Sequence, residues 1–275
     1  VALSLLVLLF VAYQLWGTGV IQAQNQHSLR LQFQGLLAAN RHRSGAPGHR
    51  TAPPVPTPGH PVARLEIPEI GVDQVVVEGV GAAQLSLGPG HYPGTPLPGQ
   101  PGNAGIAGHR TTHGAPFYDL NELVPGDRLT AVTLQGSFHY VVVRSEVVAP
   151  VDSSVLDPSS SPELTLTTCT PRFSAARRLV VVARLVSPVA PPGSPSPAHP
   201  SAAATDPDPL LQASDWLWVG VWGVAVVAAA VAIGLARRTL RGGRPWMVVA
   251  VAAPAAAVAL FFLFGAINAM LPPTV

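Results

Sequence analysis

Cys169 is the only cysteine of the 275-residue chain, and it closes the run Leu164-Thr165-Leu166-Thr167-Thr168-Cys169. Side chains of an extended run alternate, so Leu164 and Leu166 face one way while Thr165, Thr167 and Cys169 face the other. Lone cysteines usually pack as small hydrophobes. Here the parity that buries the leucines turns the thiol toward the threonine face, and Pro171 soon stops the pairing. A nucleophilic thiol works as its thiolate, which a nearby cation favours. Arg177 and Arg178 stand at the start of the next apolar run, Leu179 to Leu185. If the two runs pair, one guanidinium lies beside the sulfur, and strand register decides which.

An acid or base is the third requirement, and the chain offers nine histidines. His27, His42, His49, His60 and His199 fall in flanking or linker sequence and His139 in a strand-like run, which leaves His91, His109 and His113. His109 and His113 have the spacing of a zinc-binding helix, but Arg110 stands where that motif has its glutamate, and the surrounding Gly and Thr are poor helix formers. Gly79-Val80-Gly81 begins like a dinucleotide fingerprint but lacks the third glycine and the helix that should follow. No acidic cluster marks a calcium loop. Neither a metal nor another cofactor is expected.

The elements that must position these residues are divided between two solvents. Residues 1–21, 213–236 and 245–271 are apolar over lengths sufficient to span a bilayer. A cleaved signal peptide is the rival reading of the first, against which stand its long apolar run and the lack of an A-x-A site before Gln22. Arg237, Arg238, Arg241 and Arg244 crowd the loop 237–244, which the positive-inside rule assigns to the cytoplasm. The expectation is a multi-pass cell-membrane protein with lipid as a partner and its middle segment outside. The net charge is only +2 and no basic cluster is interleaved with aromatics, so nucleic acid is excluded as a partner.

Residues 22–61 read as an extracellular linker, with a short helix from Gln22 to Asn40, and residues 187–212 as a Pro-rich spacer. Between them, 62–186 is long enough for one domain with its own core. Strand-like runs occur at Val62 to Ile67, Val75 to Val77, Arg128 to Leu134, Phe138 to Val148, Leu164 to Thr168 and Leu179 to Leu185, punctuated by turns at Pro125-Gly126-Asp127 and Gln135-Gly136-Ser137. Only Ala115 to Leu123 suggests a helical turn. The fold class is mainly β, a small closed barrel with short helices, accompanied by three transmembrane helices.

The string Thr165-Leu166-Thr167-Thr168-Cys169, with Arg178 downstream and Ala107-Gly108-His109 upstream, resembles the signature of sortases, the cell-wall transpeptidases of Gram-positive bacteria. The stretch Gly88-Pro89-Gly90-His91-Tyr92-Pro93-Gly94-Thr95, together with Gly108-His109-Arg110-Thr111-Thr112 and an all-arginine basic set, is most similar to class E sortases of actinobacteria. The resemblance implies a barrel of about eight strands. It implies Cys169 as nucleophile, His109 as general acid and base, and Arg178 as oxyanion stabiliser, because Arg178 abuts Leu179-Val180-Val181. Thr167, Thr168 and His113 would then line the peptide groove. The implied substrates are L-A-x-T-G or L-P-x-T-G sorting signals, cut between Thr and Gly, and the implied acceptor is a peptidoglycan or pilin amine. The pair of C-terminal spans departs from the single N-terminal anchor common in that class. Two other readings stand beside it: a non-catalytic exported β-scaffold, and a thiol peptidase that only hydrolyses.

Overall fold

The computed structural model describes residues 9–44, 55–192, 219–228, 230–231, 235 and 256–267. They fall into two compact units, residues 9–13 with 219–267, and residues 14–192. In the first, residues 219–228 and 256–267 are helical, and aromatic edges hold it together: Phe10 meets Phe264 and Tyr13 meets Phe261, each with ring centroids 5.2 Å apart. Among the described residues no helix is long and apolar enough to cross a membrane. The spans expected at 1–21, 213–236 and 245–271 lie in part outside the described residues. The stretches 45–54 and 193–212 and the arginine-rich loop 237–244 lie wholly outside them.

The second unit is a closed barrel of eight strands: β1 Pro61–Ile67, β2 Val72–Glu78, β3 Gly90–His91, β4 Asn103–Ala107, β5 Arg128–Thr133, β6 Gly136–Val148, β7 Glu163–Thr170 and β8 Arg177–Leu185. The order around the barrel is β1-β2-β3-β4-β7-β8-β6-β5. Pairs β2·β3 and β4·β7 are parallel and the rest antiparallel. Inward residues alternate along the strands, with Leu65, Ile67, Val76, Ile106, Leu129, Tyr140, Leu164, Leu166 and Val181 in one core. Phe117, Leu120 and Leu123, from the loop between β4 and β5, join the same core. Ala115 to Leu123, expected as a helical turn, contains only the 3-10 turn Leu120–Glu122. Ala115 has φ of 44° and cannot open a right-handed helix.

Helix α1, Thr18–Ser44, follows a π-helical turn at Tyr13–Gly17. Residues 22–44, expected as linker with a short helix over Gln22 to Asn40, are helical throughout and pack on the barrel wall. The cause lies in β2, whose three consecutive valines bury both faces of the strand. Val76 joins the core, while Val75 and Val77 form an outer cluster with Leu29 and Phe33 of α1. Leu29, Phe33 and Leu37 recur every fourth residue and so make one stripe of the helix. Burying each such side chain is worth about 1.5–3 kcal/mol. Polar contacts fix the docking: Gln26 Nε2 donates to the Val75 carbonyl at 3.0 Å and its Oε1 accepts from the Val75 N–H at 2.7 Å. Arg30 pairs with Asp73 at 3.3 Å, and Asn40 donates to the Leu134 carbonyl at 2.7 Å.

Candidate active site

Strand β7 runs antiparallel to β8 and parallel to β4, which brings three separate parts of the chain to one end of the barrel. In the β7·β8 ladder Cys169 lies opposite Arg178 and Thr170 opposite Arg177. The pairing therefore puts Arg178, not Arg177, beside the sulfur: Arg178 Nη1 is 3.5 Å from Cys169 Sγ. On the other flank, the β4·β7 register ends at Ala107 opposite Thr167. The Gly108 N–H extends it, donating to the Thr167 carbonyl at 3.1 Å. Two residues beyond that last pair, His109 follows the end of β4 and Cys169 lies on β7, at the same end of the barrel.

The chain at Gly108 must pass close to Phe117, since a Cβ there would lie 2.6 Å from that ring. The Thr168 hydroxyl donates to the Gly108 carbonyl at 2.7 Å. Thr168 has no exposed surface and its parity is opposite to that of Cys169. Its hydroxyl ties the histidine segment to the cysteine strand. Thr167 shares the face of Cys169, and its hydroxyl is 2.9 Å from the Tyr92 phenol oxygen. His113 stacks on His109, with centroids 4.7 Å apart and planes at 24°.

One contributor is not evident in the sequence, and one candidate histidine serves elsewhere. Arg110, which reads as a mere interruption of a zinc motif, is buried and donates from Nη1 to the Cys169 carbonyl at 3.1 Å and from Nη2 to Asn121 Oδ1 at 2.5 Å. It fixes the backbone that carries the thiol. His91, one of three candidates for the catalytic imidazole, is withdrawn from the site into a buried pair with Glu78: Nδ1 is 2.8 Å from Glu78 Oε2 and Nε2 is 3.0 Å from the Pro96 carbonyl. That pair anchors the loop that presents Tyr92.

Burial keeps both the sulfur and the imidazole uncharged at rest, beside the positive Arg178 guanidinium. Burial pushes the Cys169 thiol up, against the pull of Arg178 and then Arg110. Burial, with a smaller contribution from His113, pushes His109 down to about 3. Near neutral pH the site therefore holds a thiol and an uncharged imidazole, a donor and an acceptor. Among the described residues no group of three His, Cys, Asp or Glu could hold a metal. A cavity of about 340 Å³ lies elsewhere, lined by Thr95, Gln100, Asn103 and Leu156 at the start of β4, whereas the cysteine and histidine stand past its end.

The fold and this group of residues define the class: a closed β-barrel domain with Cys169 and Arg178 opposite one another on β7 and β8 and His109 just past the end of the neighbouring β4. The sortase-domain family matches residues 65–186. Sortase SrtE1 of Streptomyces coelicolor is 35% identical over 199 residues, covering 66% of this chain and 54% of the relative. Sortase D of Bacillus subtilis is 34% identical, covering 48% of this chain and 67% of the relative. Among solved structures, a Clostridium perfringens sortase D5 transpeptidase is similar at 26% identity with a TM-score of 0.50, covering 61% of this chain and 99% of that one. Sortase E from Streptomyces avermitilis is 38% identical, covering 48% of this chain and 91% of that one, with a TM-score of 0.44. The chain belongs to the sortase family, whose members are cysteine transpeptidases, and is similar to its class E members. It spans about half the length of SrtE1.

Proposed function

We propose that the protein is a membrane-anchored sortase that cuts an L-A-x-T-G or L-P-x-T-G sorting signal between Thr and Gly and joins the new carboxyl end to a cell-wall or pilin amine. The observation that carries the reading is the register that sets Arg178 opposite Cys169, with its guanidinium 3.5 Å from the sulfur. His109, uncharged at rest, accepts the thiol proton as Sγ attacks the Thr carbonyl carbon. The carbonyl oxygen becomes an oxyanion, and Arg178 donates to it as charge develops. Collapse breaks the C–N bond, and the imidazolium returns its proton to the leaving glycine amine, giving a thioacyl-enzyme. An incoming amine then attacks the thioester carbonyl, His109 takes its proton, and the C–S bond breaks as that proton passes to the leaving sulfur, restoring thiol and neutral imidazole. Thr167 and His113 border the groove in which the peptide lies.

The apolar segments 1–21, 213–236 and 245–271 hold the barrel at the outer face of the cell membrane in this reading. Substrates confined to the same surface meet the enzyme at a raised effective concentration. The test is to incubate the full chain in detergent with an L-A-x-T-G or L-P-x-T-G peptide, with and without a glycine amine. Amine-dependent ligation supports the proposal; cleavage unaffected by amine identifies a hydrolase; no turnover with either peptide leaves a scaffold.

A further inference from the structure

The loop that follows His109 is under backbone strain. His113, Gly114 and Ala115 take φ of 51°, 72° and 44°, three successive left-handed residues of which two carry a Cβ. Such conformations persist where their surroundings hold them in place. Here the holding element is not a barrel strand but the first turn of helix α1. The His113 N–H donates to Thr18 Oγ1 at 3.1 Å, while the Thr18 hydroxyl donates to the Gln14 carbonyl at 2.7 Å. One side chain thus ties the loop to the π-helical turn that precedes it.

Gln22, one turn further along, lies against Gly114, where a Cβ would come 2.4 Å from Gln22 Oε1. Its amide is held from the other side by Gln74 Oε1 of β2 at 2.8 Å. Gly19 faces the same loop, where a Cβ would make ordinary van der Waals contact with the Gly114 main chain at 3.7 Å. Thr18, Gly19 and Gln22 occupy one face of the turn. Thr18 and Gln22 are themselves buried. On the loop's other side, His113 stacks its ring on His109.

We propose that the first turn of helix α1 is a positioning element of the active site: Thr18 and Gln22 hold the 113–115 loop so that His113 keeps the His109 imidazole set beside Cys169. The inference rests on the assignment of His109 to proton transfer. It makes the segment N-terminal to the barrel part of the catalytic unit rather than only its tether. Misplacement of a catalytic group by about 1 Å can cost on the order of 100-fold in rate.

The test uses the full chain in detergent with Thr18→Val, which keeps the shape and removes the acceptor, and Thr18→Ser, which restores it. Two quantities are read: kcat and KM for peptide ligation, and the rate at which diethylpyrocarbonate modifies His109, followed by mass spectrometry. Thr18→Val is expected to lower kcat about tenfold with KM within about twofold, and to speed modification of His109 about tenfold, with Thr18→Ser close to the parent in both. An unchanged modification rate in Thr18→Val, or equal effects in the Val and Ser variants, overturns the proposal. The modification assay needs no substrate, so it decides the inference even if the peptides prove not to be substrates. Should Thr18→Val fail to fold, Gln22→Met is read in the same two assays, where the same rise supports the proposal and an unchanged rate ends it.

Discussion

Replacing Arg178 by Gln removes one charge from the group opposite Cys169 and leaves the ladder intact. At the 3.5 Å separation of guanidinium and sulfur, the interaction with a full negative charge runs from about 1 kcal/mol in water to about 5 kcal/mol at an effective dielectric of 20. Arg178 is half-buried, so the true value lies inside those limits. Removing one donor to a developing oxyanion typically costs about 2.7–4 kcal/mol, or roughly 100- to 1,000-fold in kcat. Arg178→Gln is therefore expected to lose roughly that factor in kcat for ligation, with KM changed little. Arg177→Gln is the internal control: Arg177 is exposed and pairs with Thr170, and its replacement is expected to change kcat less than about threefold. The assay is steady-state ligation of a fluorogenic sorting-signal peptide to a glycine amine. Equal losses in the two variants, or a loss below about fivefold in Arg178→Gln, refutes the reasoning from register.

Alkylation of Cys169 by iodoacetamide is expected to be slow at neutral pH and to rise as pH climbs past the ordinary thiol range. The raised thiol must lose its proton first, and no step is expected near pH 6.5 because His109 sits at about 3. Glu78→Ala leaves the buried His91 Nδ1 without its partner and is expected to cost about 1–3 kcal/mol, read as a lowered denaturation midpoint of the full chain. Asp73→Asn removes the partner of Arg64 and Arg30, but these side chains are 40% exposed, so the cost at neutral pH is expected to be at most about 1 kcal/mol. Arg64 holds the Asp73 carboxyl below the usual carboxylate range, so the stabilisation is present above the unfolded value and lost as pH falls through the folded one. The parent and the variant should therefore converge in strong acid when unfolding is followed against pH.

The long strands were legible because their alternation is strong: β5 to β8 lie where Val, Leu, Thr and Tyr recur between turns. Strands β3 and β4 were not. Gly90–His91 is too short to show a period, and Asn103–Ala107 reads N-A-G-I-A, whose small residues carry little hydrophobic signal even though all five are buried. The same smallness lets the main chain pass close to Tyr92 and Leu156 at Gly105. Cys169 could be singled out by parity, but choosing Arg178 over Arg177 needed the ladder, which is a long-range property. Arg110 left no local mark, because its contact with the Cys169 carbonyl spans 59 positions. Docking of α1 was hidden for a related reason: the stripe Leu29, Phe33 and Leu37 is weak by itself and acquires meaning only against the outward valines of β2.

The central claim is that Cys169 carries the acyl group between donor and acceptor. A single-turnover reaction of the full chain with a sorting-signal peptide, quenched in acid and followed by intact-mass and peptide mass spectrometry, tests it most directly. The expected product is an adduct equal to the peptide up to and including its Thr, attached at Cys169, released by hydroxylamine, and absent in Cys169→Ala. An adduct on another residue, or peptide turnover that persists in Cys169→Ala, contradicts it.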